Sequence, residues 1–392
     1  MHGTGRAGAE THLDRHVVFL IGEDWFFRSH FRARAEAARA AGWKVTILTR
    51  TGDAAASLRD EGFEVIHGFE VIHVDFCRAR LNPLAEFRLL RAIAGHYRAL
   101  KPDLVHHVAL KPILLGSLAA ALARVPAVIN APVGQGFVFT SASLKARLLR
   151  PAVRLGLRLA MGGRGAFCIF ENREDLTAMT ASGAIRSDRA YLIRGAGVDL
   201  AAYRPHVPPA GKVRIVLGAR MLADKGVREF IEAARLLRLR GVIAECVLAG
   251  GPDPQNPASL EESELRRATE AAWLGPVADM AGFLASCHVA CLPSYREGLP
   301  KFLLEAMASG LPCVATDVVG CREAVADGES GILVPPRDPA ALADALERLV
   351  ADPALRARMG AAGRARAETL FADEVVCAAT LAVYESAIRH DV

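Results

Sequence analysis

Tyr295–Ala315 reads YREGLPKFLLEAMASGLPCVA: a Gly/Pro loop, a helical stretch, then the start of an apolar run. Short apolar runs set between helical stretches imply a parallel sheet covered by helices on both faces. Two glutamates in the stretch carry chemistry. Glu297 lies in the loop and Glu305 inside the helix, with seven residues between them. A carboxylate only accepts hydrogen bonds, which suits it to gripping sugar hydroxyls. The loop opens a helix, whose first N–H groups are free for a phosphate. Helical side chains lean toward the N-terminus, so Glu305 can reach back to a ligand held there. Hydroxyl acceptors beside a phosphate cradle are what a nucleotide sugar needs.

The alternation runs along the whole chain. His16–Gly22 is a buried-strand pattern, followed by a helical stretch from about Ser29 to Ala41. Lys44–Thr49, Asp103–Val108, Ala127–Ala131 and Phe167–Phe170 continue it. A second series comprises Val213–Gly218, Glu245–Gly250, Val289–Leu292, Pro312–Thr316 and Gly331–Val334. Between the series, Arg204–Gly211 (RPHVPPAG) cannot continue a helix and marks a boundary. With 392 residues, the chain exceeds one ordinary core. The predicted organisation is a loose tail over 1–15 and two doubly wound, Rossmann-like domains over 16–205 and 212–370. A final helix over 371–392 is placed to pack back on the first domain. In such sheets ligands bind beyond the carboxyl ends of the strands, here in the cleft between the domains.

Composition narrows the classes. A chain 52% hydrophobic and 23% charged is folded, not disordered. The net charge of +5 is modest and gives no argument for nucleic acid. The eight cysteines are scattered through apolar runs without a CxxC pair, and are predicted to be buried free thiols in a reducing cytoplasm. Cys287 and Cys291 flank His288, but no second ligand pair follows, so no metal site is predicted. The first fifteen residues lack the apolar core of a signal peptide. No apolar run approaches the roughly 20 residues of a spanning helix. A cytoplasmic protein is predicted, with contact to a membrane surface open to it.

The second series begins VRIVLGARMLADKGVREFIEAA from Val213, with Arg220 and Lys225 five apart on its strand-to-helix turn. Arginine grips a phosphate with two parallel hydrogen bonds, and lysine adds a compact charge. Alone, the pair reads as a solvated basic turn. Beside Glu297 and Glu305 it reads as the partner of a diphosphate.

At these residues a family resemblance is plain. Gly218–Gly226 (GARMLADKG), Leu248–Pro252 (LAGGP), Trp273–Val277 (WLGPV) and Ser294–Val325 occur in an order and spacing that resemble retaining glycosyltransferases of family four, which have the GT-B fold. The resemblance implies that Arg220 and Lys225 bind the donor diphosphate, Glu297 contacts the donor sugar, and Glu305 holds the ribose hydroxyls. It puts the backbone near Gly298, Leu299 and Lys301 at the sugar and phosphate, Gly250 and Gly251 against the nucleotide, and Leu274 beside the base. No Asp-x-Asp pair occurs in the chain. Transferases that hold the diphosphate through a divalent metal usually carry one. Metal-independent chemistry without a cofactor is predicted, with Arg220 and Lys225 supplying the charge.

Arg78–Leu84 (RARLNPL), Asp103–Gly116 (DLVHHVALKPILLG) and Ala131–Thr140 (APVGQGFVFT) resemble a subgroup that extends undecaprenyl-diphosphate-linked glycans, including bacterial N-acetylgalactosaminyltransferases. Many family members have His-x-His where His106, His107 and Val108 stand. The resemblance therefore leaves His106 and His107 both as candidates beside the reacting sugar, with a packed strand histidine as the alternative for one. Lys111 and Gly134 fall in the segments implied for the acceptor. The Gly-Gly turn frequent after the first strand is replaced by GEDWFFRSHFR, and His30 and Arg32 take part of its work on the acceptor side. Ser141–Gly165 interleaves Lys145, Arg147, Arg150, Arg154, Arg158 and Arg164 with leucines and has no acid. Such a helix suits an anionic bilayer surface, and Pro151 predicts a kink or a break in it.

The predicted function is transfer of an N-acetylhexosamine or hexose from a UDP-sugar, with retention, to a polyprenyl-diphosphate-linked saccharide at the inner face of the cytoplasmic membrane. The alternatives are the same fold with a soluble small-molecule acceptor, and a non-catalytic nucleotide-sugar-binding protein.

Overall fold

The computed structural model describes residues 15–51, 70–76, 82–133, 144–163, 165–207, 209–254 and 256–389. Two parallel sheets organise the chain. The first contains β1 (His16–Glu23), β2 (Lys44–Arg50), β3 (Glu70–His73), β4 (Leu104–Val108), β5 (Ala127–Ala131), β6 (Ala166–Phe170) and β7 (Ala190–Leu192). Its order is β3-β2-β1-β4-β5-β6-β7. The second contains β8 (Val213–Gly218), β9 (Ala244–Ala249), β10 (Ala272–Gly275), β11 (Val289–Leu292), β12 (Cys313–Thr316) and β13 (Gly331–Val334). Its order is β10-β9-β8-β11-β12-β13.

Helices cover both faces of each sheet, so alternate residues of one strand enter different cores. In β1, Val17, Phe19 and Ile21 join one apolar cluster while Val18 and Leu20 join another. In the second sheet, Ile215 and Leu217 face one cluster and Val216 the other. Burial on both faces is why these strands read as continuous apolar runs and not as alternating ones.

The chain passes between the domains twice, and the two passages are tied together. Val198 N–H donates to the Phe371 carbonyl at 2.8 Å, and Asp373 N–H donates to the Val198 carbonyl at 3.0 Å. The helix Asp373–Arg389 then lies on the first domain. Its Val376, Val383, Tyr384 and Ala387 belong to the same cluster as Val17 and Phe19.

Two local expectations change. The helical stretch after β1 is two helices, Asp24–His30 and Arg32–Ala40, which break at Phe31. Phe31 leaves helical geometry at φ −124° and sinks its ring into the core, 5.6 Å from the His106 ring. The basic segment is a single helix, Leu144–Met161, that continues through Pro151. Among the described residues no helix is long and apolar enough to cross a membrane.

Tyr384 tests the return of the last helix. It is fully buried, packs edge-on to Trp43 at 5.6 Å, and its hydroxyl meets His106 Nδ1 at 2.6 Å. Tyr384→Ala should cost roughly 3–5 kcal/mol in denaturant unfolding, as for other large aromatics removed from a core. Tyr384→Phe should cost roughly 1–3 kcal/mol, the penalty of leaving a buried polar partner unpaired.

Candidate active site

β8 lies between β9 and β11, and the chain leaves it toward β9 on one side and returns through β11 on the other. The loops after β8 and β11 therefore flank the point where the winding reverses, the place for a ligand crevice. Arg220 and Lys225 are on the first loop, and Glu297 is on the second. Tyr295 N–H donates to the Asp224 carbonyl at 2.8 Å and joins the two loops. The helix Lys301–Ala308 follows, capped by no side chain. Its N-terminus begins directly after the Glu297–Pro300 loop.

The charged residues meet in pairs. Lys225 Nζ lies 2.6 Å from Glu297 Oε1, and Arg220 lies 2.5 Å from Asp253 Oδ2. Lys301 Nζ lies 3.4 Å from Glu305 Oε1, one turn along the same helix. Burial raises the Glu305 carboxyl above its ordinary range, opposed by Lys301 and Tyr203. The arrangement is a cluster of three cations with acceptor carboxylates around it, the chemistry a phosphorylated sugar requires.

Two glycines let the backbones approach. Gly250 sits at φ 150°, and a Cβ there would lie 1.7 Å from the Ala219 carbonyl oxygen. The Gly250 carbonyl accepts from Trp273 Nε1 at 2.8 Å, fixing the turn against β10. A Cβ at Gly320 would lie 2.5 Å from the Gly298 carbonyl oxygen, so the Glu297–Gly298 loop needs glycine beneath it. Leu274 on β10 is about half exposed.

The first domain closes the crevice through its helix Asp24–His30 and the end of β6. Lys301 Nζ donates to the Ser29 carbonyl at 2.5 Å. The Arg220 guanidinium lies over the Trp25 ring at 5.7 Å. Asn172 caps the helix Arg173–Ala181 through Asp175 N–H at 2.7 Å, and its amide donates across the cleft to the Gly298 carbonyl at 3.2 Å. Arg194 pairs with Glu323 at 2.7 Å at the other end of the contact. His30 stacks on Phe26 at 4.2 Å. Desolvation, with the charges of Lys301, Arg34, Lys225 and Arg220, lowers its pKa to about 3. His30 thus lies among the cations of the crevice. A groove of about 540 Å³ opens between Arg173–Ala181 and Val319–Glu323, but it includes none of Arg220, Lys225, Glu297 or Glu305.

The two strand histidines do not end β4 at the cleft edge. Both sit inside the sheet, with 1% and 0% of their surface exposed. Successive residues of a strand point to opposite faces. His106 therefore packs between Phe19, Phe31 and Tyr384, while His107 turns to Tyr97 and Asn130, at 3.1 and 3.0 Å. His107 is a packed, hydrogen-bonded residue, and burial lowers its pKa to about 4. His106 is held well below its ordinary range by burial and by Arg34.

Other residues implied for the acceptor are dispersed. Arg32 makes an ion pair with Glu36 one turn along its helix, and Lys111 meets Glu86 at 2.7 Å. Gly134 and Arg164 lie outside the described residues, as do the side chains of Lys145 and Arg147. Trp25, Asn172, Tyr203 and Asp253 were missed in the sequence. The Asn172-x-x-Asp175 capping pattern and the Asp253 that follows Gly250–Gly251 were the available signals.

Two family models match the chain, "Glycosyl transferase 4-like" over 16–161 and "Glycosyl transferases group 1" over 212–352. A D-inositol 3-phosphate glycosyltransferase of Frankia alni is 31% identical over 379 residues, covering 83% of this chain and 86% of that protein. The chain belongs to the group 1, family-four-like glycosyltransferases. The N,N'-diacetylbacillosaminyl-diphospho-undecaprenol alpha-1,3-N-acetylgalactosaminyltransferase of Campylobacter jejuni is 28% identical over 337 residues, 82% of this chain and 87% of that enzyme. Anabaena HepE, solved with UDP and glucose, superposes with a TM-score of 0.75 at 18% identity, covering 95% of this chain and 100% of that structure. The fold of this glycosyltransferase is thus GT-B.

The lowered pKa of the half-buried His30 imidazole gives stability a pH dependence. His30 has a folded pKa below its unfolded value, so its contribution is present above pH 6.5 and lost as pH falls toward 3. Asp373, raised to about 6 by burial, acts in the opposite sense between its ordinary value and pH 6. The readout is therefore a difference between variants. His30→Asn should lose less melting temperature than the wild type between pH 6.5 and pH 4, measured by thermal unfolding in matched buffers.

Proposed function

We propose that this glycosyltransferase moves a hexose or N-acetylhexosamine from a UDP-sugar to a polyprenyl-diphosphate-linked saccharide, retaining the anomeric configuration. The observation that carries the donor half is the meeting of Arg220 with Asp253, Lys225 with Glu297 and Lys301 with Glu305 at the switch point of the second sheet. A leaving diphosphate gathers negative charge, and preorganised cations stabilise it as it forms. Three side-chain cations supply that charge without a metal ion. Glu297 positions the donor sugar and Glu305 holds the ribose hydroxyls. The HepE complex with UDP, on the same fold, supports this class of donor.

The acceptor half rests on the Campylobacter relative, whose name specifies an undecaprenol-linked acceptor, and on the first domain's surface. On the helix Leu144–Met161, Leu148, Leu155 and Leu159 are exposed at 73%, 59% and 68%. Arg154 and Arg158 on the same helix are exposed too. The neighbouring helix Leu110–Ala123 exposes Leu118 and Leu122, and the next, Pro83–Leu100, exposes Leu84 and Phe87. Leucines set among arginines suit an interfacial position at an anionic bilayer. The enzyme would then work at the inner face of the cytoplasmic membrane, where a lipid-linked acceptor is presented.

A thermal-shift screen of UDP-sugars against GDP-mannose checks the donor, because a ligand that binds only the folded state raises the melting temperature. One UDP-sugar should do so, and a response to GDP-mannose alone would reject the reading. Arg220→Ala and Glu297→Ala should each abolish transfer, measured as UDP release, and normal turnover in either would reject the assignment.

The membrane is tested by flotation with vesicles containing anionic lipid. Binding should fall when Arg150, Arg154 and Arg158 are changed together to Gln. No binding by the wild type, with turnover of a soluble acceptor, would favour the soluble reading.

A further inference from the structure

The helix Asp24–His30 brings the first domain to two of the three cations in the crevice. The Ser29 carbonyl, in its last turn, accepts from Lys301 Nζ, and Trp25, in its first turn, lies under the Arg220 guanidinium at 5.7 Å. The carbonyl end of a helix attracts a cation, and an indole face attracts one through its ring quadrupole. Arg220 is thus held from two sides. One donor, Nη1, is tied to Asp253 Oδ2 at 2.5 Å, and the ring lies beneath. Among the described residues its other N–H groups have no protein acceptor. A guanidinium carries five donors in one plane, so the untied ones remain for a phosphate. Trp25 is itself fixed from behind. Phe26 meets its ring edge-on at 5.6 Å and stacks on His30 at 4.2 Å, while Asp24 Oδ1 accepts from the Trp25 backbone N–H at 2.6 Å. Trp25 still leaves 36% of its surface exposed, so core burial does not account for its place.

We propose that Trp25 is a donor-positioning residue that acts through Arg220, an inference that rests on the UDP-sugar reading above. An arginine side chain has many rotamers, and ordering them on binding costs affinity. An indole under the guanidinium limits them beforehand and leaves the untied N–H groups for the diphosphate. The contact is electrostatic as well as steric, so it favours an aromatic ring over an aliphatic chain. Trp25 belongs to the first domain and Arg220 to the second. Donor affinity therefore carries a contribution from the first domain, present only while the helix Asp24–His30 sits against the crevice. Trp25 needs no contact with the nucleotide for this, because its effect passes through one arginine.

The test uses the full chain and UDP, with affinity measured by titration calorimetry. Trp25→Leu, which keeps an apolar side chain but no ring, should weaken UDP binding by roughly two- to fivefold, the fold-change of an exposed cation–π contact. Trp25→Gln, a polar change at an exposed position, should lose as much, and Trp25→Phe should recover part of the loss. With the UDP-sugar that the thermal-shift screen selects, Trp25→Leu should raise the donor KM and leave kcat within about twofold. A purely structural role would instead lower the active fraction, and so kcat, with UDP affinity unchanged. The deciding readout is the combination with Arg220→Ala. In that background Trp25→Leu should change UDP affinity by less than about 1.5-fold, because the partner it acts through is gone. Wild-type UDP affinity in both Trp25→Leu and Trp25→Gln would overturn the proposal, as would a Trp25→Phe variant no better than Trp25→Leu. So would an undiminished loss in the Arg220→Ala background, the sign that Trp25 meets the nucleotide itself. Each of these leaves the donor reading standing, since the wild type still binds UDP. Absence of UDP binding by the wild type would overturn the donor reading and this inference with it.

Discussion

The contact between Lys225 and Glu297, at 2.6 Å, is the constraint on which the site depends. It joins the loop after β8 to the loop after β11, the two strands that diverge at the switch point. Both side chains are mostly buried, so neither charge can be left alone cheaply. The pair therefore fixes the Glu297–Gly298 loop, and that loop fixes what it touches. Gly320 lies beneath it, Asn172 reaches it from the first domain, and the helix Lys301–Ala308 starts from it. Placing one cation–carboxylate pair at the switch point orders the second domain's share of the crevice and its seam with the first.

The relation between the domains is held by backbone as well as side chains. The two passages hydrogen-bond to each other at Val198 and Asp373. The helix Asp373–Arg389 then belongs to the first domain's core although it follows the second domain in sequence. Tyr384 on that helix meets His106 inside the first sheet, so the chain's last helix braces that sheet from within. Residues far apart in sequence thus build one domain's core.

Much of this was legible in the sequence because parallel sheets buried on both faces leave a strong trace. Runs such as HVVFLIG and KVTILT correspond to β1 and β2, and Glu305 does lie one turn inside a helix opened by a Gly/Pro loop. The contacts between loops and between domains were not legible, because nothing local ties Arg220 to Asp253 or Lys301 to Ser29. His106 and His107 show the limit most clearly. A family pattern pointed to the cleft, but the pleat of β4 turns one ring into each core and puts both below the surface. Nothing local ties Asn172 to Gly298 either, a contact between residues 126 apart.

The charges around His30 explain why a diphosphate could organise the crevice. Desolvation, with the charges of Lys301, Arg34, Lys225 and Arg220 from both domains, keeps that ring neutral. Like charges gathered in a desolvated site repel, and here carboxylates answer three of them: Glu297, Asp253 and Glu305. A diphosphate entering this cluster brings negative charge that competes for the same cations. Each cation it takes releases a carboxylate that can then accept hydroxyl hydrogen bonds. Glu297 would turn from Lys225 to the sugar, and Glu305 from Lys301 to the ribose. On the proposed donor reading, donor binding and sugar positioning would be one exchange of partners, the carboxylates that balance the cations before binding becoming the groups that hold the sugar after it.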